Sequence, residues 1–264
     1  MAKGKKISLI SRMHYFKLVF RSLLFLAALA VYIARRVLGK PVDLDIITER
    51  PVILGVVLVV FVSEMLLRFF PSRLESMGCQ KQFARNFIPT EVERPTQSTW
   101  RSTLAVALVW LLLNGLIGAA HLVGWIDEGI LLLICLFYSV CDMICILFFC
   151  PFQTWMMKNK CCGSCRIYNW DYAMMFTPLI FIPRLFAYIL LVPSLLLLIV
   201  WELAALTHRE RFSEQTNACL SCSNCKEKLC HHKRQLRHFL RKNKERLLLK
   251  GNAAIEKVKT LRKK

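Results

Sequence analysis

Cysteine is the residue type in this chain with the clearest chemical potential. The sequence contains 12 cysteines, and eight of them lie between residues 150 and 230 in two groups separated by an apolar segment. The first group consists of Cys150, Cys161, Cys162 and Cys165, and the second of Cys219, Cys222, Cys225 and Cys230. Thiolate sulfur is the soft ligand that zinc, monovalent copper and iron–sulfur clusters prefer. These eight residues are therefore the candidate metal ligands.

The second group has the more regular spacing, because two residues separate each of its first three cysteines. Such gaps turn successive sulfurs toward a common centre, and the run from Cys219 to Cys225 resembles the ferredoxin pattern of 4Fe–4S ligation. The four-residue gap before Cys230 and the missing proline after it depart from that pattern. A zinc site with four thiolates is the alternative, with His231 and His232 as substitute ligands. In a reducing cytoplasm such thiols are metal ligands more often than disulfides.

The first group offers two kinds of sulfur chemistry. Cys162 and Cys165 form a Cys-x-x-Cys pair, the dithiol arrangement of thiol oxidoreductases, and the adjacent Cys161 and Cys162 form a soft-metal capture motif. Cys150 precedes a proline at the end of an apolar run, which is similar to the Cys-Pro motifs at helix ends of membrane-bound polyferredoxins. Inert or palmitoylated thiols beside the membrane are the alternative interpretation.

The rest of the chain is predicted to be a membrane scaffold. Hydrophobic residues make up 56% of the sequence, above the roughly 45–50% that is usual for soluble domains. Apolar runs long enough to span a bilayer cover residues 18–38, 51–70, 102–124, 129–149 and 173–206. We therefore expect an all-α, multi-pass integral membrane bundle over residues 1–206, with four spans and a bent or hairpin fifth segment. Residues 207–264 are expected to be a cysteine-rich, basic tail.

The fifth segment decides the predicted topology. It contains Pro178, Pro183 and Pro193, and a straight helix of its length would measure about 50 Å against a hydrocarbon core of about 30 Å. Cytoplasmic loops carry an excess of Lys and Arg. If the segment enters and returns, 30 of the 37 Lys and Arg residues are cytoplasmic, whereas a single crossing leaves 13 inside and 21 outside. We therefore expect a hairpin, with both cysteine groups and the tail in the cytoplasm.

Charged residues also fall within the predicted spans. Arg21 lies near enough to one end of the first span to snorkel to the surface. Glu64 and Arg68 are spaced i,i+4 in the second span, so they could pair with each other. Arg68 lies three residues before Pro71, and snorkelling to the surface is the favoured interpretation for it. Asp142 in the fourth span is an intramembrane acid and therefore a functional candidate. A paired or interfacial carboxylate is the alternative role for Asp142.

Three further cysteines, Cys135, Cys141 and Cys145, lie in the fourth span. Buried cysteine in an apolar helix usually contributes packing, and we interpret these residues in that way. Cys141 and Cys145 are one turn apart and share a helical face. In a metal-capture protein they and Asp142 would lie along the path of the metal.

The leading functional hypothesis from the sequence is electron transfer at the cytoplasmic membrane face by one or two cysteine-ligated centres, with iron–sulfur favoured over zinc. The alternatives are soft-metal capture or transport, and a structural membrane protein with a zinc knuckle. The expected partners are the bilayer, anionic lipid for the basic amphipathic tail, and a redox protein. Nucleic-acid binding is not expected, because its fold motifs are missing, and no catalytic acid–base or serine residues are predicted.

Overall fold

A computed structural model of the chain describes residues 9–39, 51–71, 77–92, 100–159 and 165–221, together with the single positions Asn224 and Asn243. Regular structure in these residues is helical, apart from one bridge between Pro89 and Asn217. This confirms the predicted all-α class. Every described residue except Asn243 belongs to one compact unit that extends to Glu227.

The described residues form seven α-helices, and short turns of other helix types connect some of them. The helices are α1 (Leu9–Val37), α2 (Pro51–Leu66), α3 (Met77–Gln82), α4 (Trp100–Leu122), α5 (Glu128–Leu147), α6 (Asp171–Phe176) and α7 (Leu185–Thr207). Four of them, α1, α4, α5 and α7, are long and apolar enough to cross a membrane. The predicted presence of several helices long and apolar enough to span a membrane is therefore confirmed.

Two predicted segments differ in extent from the observed helices. The helix expected over residues 51–70 is α2, which has 16 residues and is therefore about 24 Å long. Its regular hydrogen bonding ends before Pro71, which cannot continue a helix. The second difference is the short helix α3, which lies between the apolar runs 51–70 and 102–124, where the sequence predicts no membrane span.

At one end of the bundle, Asp127 caps the start of α5 and links it to α1. Its carboxylate accepts a hydrogen bond from the backbone N–H of Ile130 at 2.8 Å, and this bond satisfies one of the unpaired N–H groups of the first helical turn. The same carboxylate pairs with Arg36 at 2.7 Å and accepts from Tyr32 at 3.0 Å. These contacts tie the last turns of α1 to the α4–α5 connection.

Residues 166–207 begin and end at the opposite end of the bundle. Arg166 and the indole N–H of Trp170 both donate to Glu202 near the end of α7, at 2.6 and 2.7 Å. We call this the thiol end, because it also carries Cys150 and Cys165. From here α6 and the turn Thr177–Phe181 run into the bundle, and α7 returns.

The part of this segment that runs into the bundle reaches the last turns of α4. The ring of Phe181 packs against His121 and covers Gly118, where an added Cβ would lie 2.1 Å from the ring. A residue without a side chain is required for this close approach. The proline-containing connection after Phe181 then starts α7, which packs along α2.

The chain beyond α7 covers the thiol end together with residues 77–92. Asn217 is fully buried and donates through its side-chain amide to the carbonyls of Lys81 and Arg211, at 3.1 and 2.9 Å. The backbone N–H of Ala218 donates to the carbonyl of Ile88 at 2.8 Å. These hydrogen bonds join residues 77–92 and the chain after α7 into one cap at the thiol end.

A buried arginine joins three helices inside the bundle. Arg21 of α1 is 2% exposed, and its guanidinium pairs with Glu64 of α2 and Asp142 of α5, each at 2.8 Å. It also donates to the carbonyl of Ser139 at 3.1 Å, and Tyr172 donates to Glu64 at 2.8 Å. The interpretation of Arg21 as a snorkelling residue is therefore wrong, because two carboxylates satisfy its charge within the protein.

Arg68 makes the second buried ion pair. Its two terminal nitrogens bind both oxygens of Asp171 at 3.0 and 2.5 Å. Arg68 therefore neither snorkels nor pairs with Glu64, because it is buried and each of the two residues finds its partner on another element. Asp142 takes the alternative role, that of a paired carboxylate.

We expect the substitution Arg21→Met to lower the free energy of unfolding in detergent by about 3–5 kcal/mol, because it leaves two buried carboxylates without their cation. Arg36→Met is the matched control on the same helix, since the side chain of Arg36 is 60% exposed and pairs with one carboxylate. Its effect should be much smaller. Thermal unfolding of the two purified variants makes the comparison, and equal losses would contradict a dominant role for Arg21.

We expect the loop after α5 and the chain after α7 to lie on the same side of the membrane, since both ends of the 166–207 segment meet at Glu202. Alkaline phosphatase, which is active only outside the cytoplasm, can be fused after Lys158, Arg184 or Ser213. The fusions after Lys158 and Ser213 should agree, and the fusion after Arg184 should give the opposite result. Opposite results at Lys158 and Ser213 would show a single crossing instead.

Candidate functional site

A cavity of about 550 Å³ lies at the thiol end, between the second half of α5 and residues 149–155 and 165–175. Its size falls within the roughly 300–1,000 Å³ range of small-ligand sites. Seven aromatic rings line it, namely those of Trp110, Phe137, Tyr138, Phe149, Phe152, Trp155 and Tyr168. The rings of Trp110 and Tyr138 are 4.7 Å apart. The wall is therefore mostly apolar.

Sulfur is the second component of this wall. Six sulfur-bearing side chains line the cavity: Cys141, Cys145, Cys150, Cys165, Met174 and Met175. They come from α5, from the chain just beyond its end, from the start of the turn Arg166–Trp170, and from α6. Thiolates and thioethers are the ligands that select soft metals. The fold thus concentrates soft ligands that are scattered along the sequence.

Cys150 occupies the position where α5 has ended and the next turn begins. Its Sγ accepts a hydrogen bond from the backbone N–H of Gln153 at 3.4 Å. Cys145, on the last turn of α5, lines the same cavity. Because the helix ends at Leu147, the chain can bend and place both cysteines on the cavity wall. Cys145 therefore faces the cavity, which the packing interpretation did not anticipate.

The remaining cysteines of α5 differ from each other in environment. Cys135 is 3% exposed and belongs to the main apolar core, beside Leu131 and Met175. Cys141 is half-buried and lines the cavity one turn before Cys145. Packing accounts for Cys135 alone among these three residues.

The structure brings together two of the predicted metal ligands. Cys150 and Cys165 line the same cavity, whereas Cys219 lies in the turn Ala218–Leu220, which packs on α3. The other predicted ligands, Cys161, Cys162, Cys222, Cys225 and Cys230, lie outside the described residues. Within residues 9–39, 51–71, 77–92, 100–159 and 165–221, no three His, Cys, Asp or Glu side chains are grouped to hold a metal ion.

Two carboxylates on the wall are already neutralised. Asp142 and Asp171 line the cavity, and they pair with Arg21 and Arg68, respectively. They therefore offer a cation little net negative charge. The ligand preference of the cavity comes from sulfur and from aromatic faces.

Sequence reasoning missed the two methionines. Met174 and Met175 are adjacent in a segment predicted as apolar membrane helix, and nothing in their spacing distinguishes them from packing residues. The only signal is that these methionines lie close in sequence to Cys165, the last member of the first cysteine group.

No family model, curated protein or solved structure matches the chain.

Proposed function

We propose that this protein binds a soft metal ion through sulfur at the thiol end and that its function is to capture or pass on that metal at the membrane. The observation that supports this proposal is that four thiols and two thioethers line one cavity. The wall is mostly apolar, and hard cations such as Mg²⁺ prefer oxygen ligands and keep several waters. A soft ion is the species that such a wall would retain.

The number of available ligands favours metal capture over the iron–sulfur hypothesis. A 4Fe–4S cluster needs four thiolates, and a structural zinc site needs four ligands in a tetrahedron. A soft monovalent ion is held by fewer sulfurs. Cys145 and Cys150 line the cavity, and no three His, Cys, Asp or Glu side chains are grouped in the described residues, which fits that lower requirement.

Electron transfer through an iron–sulfur centre is the second candidate, and one observation favours it. Cys150 and Cys165 are 15 residues apart in the chain but line the same cavity. The chain between them contains Cys161 and Cys162, so all four members of the first group can belong to one centre. The second group would supply another iron–sulfur centre, or a zinc site, and a redox protein would be the partner.

We place the thiol end, both cysteine groups and the tail in the cytoplasm. The excess of Lys and Arg supports this orientation, since a hairpin puts 30 of 37 such residues on that side. The contacts of Glu202 with Arg166 and Trp170 support the hairpin itself. The bilayer is the first partner of the protein, and its basic tail is suited to anionic lipid.

We expect protein purified anaerobically after growth with added copper, zinc and iron to contain a bound soft metal. Cys165→Ser should lower the metal content, because it removes a sulfur from the cavity wall. Cys135→Ser is the matched control and should retain the metal, since that thiol is packed in the apolar core. Elemental analysis with a visible spectrum gives the readout: iron with sulfide supports electron transfer, and copper supports capture. Protein without any of these metals would refute both candidates.

We expect a peptide of residues 231–264 to bind vesicles that contain anionic lipid, with an affinity that falls as salt rises. The reason is that each Lys or Arg near the surface contributes about 1 kcal/mol, and this segment is rich in both. Co-sedimentation with anionic and with neutral vesicles measures the effect. Equal binding to both kinds of vesicle would contradict the electrostatic basis.

A further inference from the structure

We infer that the cavity at the thiol end binds one acyl chain of a bilayer phospholipid. This inference goes beyond the proposed function, because a metal ion fills only a small part of a cavity of about 550 Å³. Protein interiors contain few voids larger than a water molecule, and an apolar cavity of only about 150 Å³ already takes up benzene. An apolar ligand is therefore expected in the remaining space.

The cavity opens on a surface of the bundle that is suited to face lipid. Phe137 and Ile144 line it from α5 and are 49% and 40% exposed, and α5 is long and apolar enough to cross a membrane. Cys165 and Met175 also line the cavity but are 3% and 1% exposed. The rim thus consists of outward-facing side chains and the inner wall is closed. Bilayer hydrocarbon is the medium next to such an opening.

The length of the cavity matches one leaflet of a bilayer. Its lining on α5 begins at Phe137, in the middle of this 20-residue helix, and continues past the helix end to Cys150. The helical rise from Phe137 to Leu147 is about 15 Å, which is half of a hydrocarbon core of about 30 Å. Trp155 at the thiol end is 69% exposed, and tryptophan is enriched at membrane surfaces. A chain whose headgroup lies beside Trp155 therefore reaches the bilayer centre near Phe137.

The charges on the wall are balanced, which suits a hydrocarbon chain. In the part of the wall that the structure describes, the charged side chains are Asp142 and Asp171. Arg21 pairs with Asp142 at 2.8 Å, and Arg68 binds both oxygens of Asp171. The sulfur side chains are compatible with hydrocarbon as well, since cysteine packs as a small hydrophobe and methionine adapts to irregular shapes.

The test uses the full-length protein reconstituted in nanodiscs with phosphatidylglycerol that carries a diazirine near the end of one acyl chain. Light releases nitrogen from the diazirine, and the resulting carbene inserts into a neighbouring bond of the protein. Mass spectrometry should find the label on Met174 and Met175 of α6, as well as on Phe137. Most of α6 is buried inside the bundle, so a lipid on the outer surface does not label it. A diazirine beside the headgroup should label the region of Trp155 instead.

Cys141→Phe narrows the cavity, because the half-buried Cys141 lines it. Labelling of Met174 and Met175 should fall by about tenfold, the scale expected when a side chain overpacks a filled volume. Leu112→Phe is the matched control, since Leu112 is 67% exposed on α4 and lies outside the described cavity lining. Its labelling of α6 should equal that of the wild type. The position of the label in the wild-type protein does not depend on how the variants fold.

Label confined to outward-facing residues such as Leu112, with none on α6, would overturn the inference. Undiminished labelling of α6 in Cys141→Phe would do the same. Labelling of α6 by a diazirine fatty acid but not by the phospholipid would rule out phospholipid as the occupant. Metal analysis of the same wild-type protein keeps the two proposals apart: labelled α6 in protein that binds no copper, zinc or iron would refute the proposed function and leave the lipid site standing.

Discussion

The interaction on which the bundle depends is the binding of Arg21 to two carboxylates. A guanidinium inside a helical bundle is costly unless its charge is paired and its N–H groups are satisfied. Here Glu64 and Asp142 approach it from two other helices, and the carbonyl of Ser139 accepts from it as well. This requirement fixes the rotation of α1, α2 and α5 about their axes. The apolar contacts between these helices would tolerate other rotations, since Leu and Val side chains have no directional preference.

The orientation of α5 in turn determines what faces the cavity. Asp142 is directed toward Arg21, and the thiols one position before it and three positions after it lie on the cavity wall. The second ion pair, between Arg68 and Asp171, positions the start of α6, and α6 contributes the thioethers to the same wall. Charge pairing and sulfur placement are therefore linked through two helices. The buried ion pairs of this protein thus position the side chains that are its candidate metal ligands.

The sequence was sufficient to predict the helical class and the apolar segments, because length and hydropathy depend only on neighbouring residues. It also indicated the cysteines as the reactive groups. It was not sufficient to predict the partner of each charge: Glu64 and Arg68 fit a local pairing rule, yet each binds a residue more than 40 positions away. The place of Cys145 on the cavity wall was hidden for the same reason. Cys150 and Cys165, which line the same wall, lie beyond the helix end, where helical periodicity no longer applies.

Because Asn217 lies late in the chain, the contacts that cover the thiol end form late in biosynthesis. This side chain joins residues 77–92 to the chain after α7, through Lys81 and Arg211. A ribosome delivers the early segment long before the later one, so the amide that connects them arrives only after α1 to α7 have been made. Until then the surface around α3 and the turn Arg166–Trp170 stays uncovered. The packing of these two segments on each other is therefore one of the last folding steps of the described bundle.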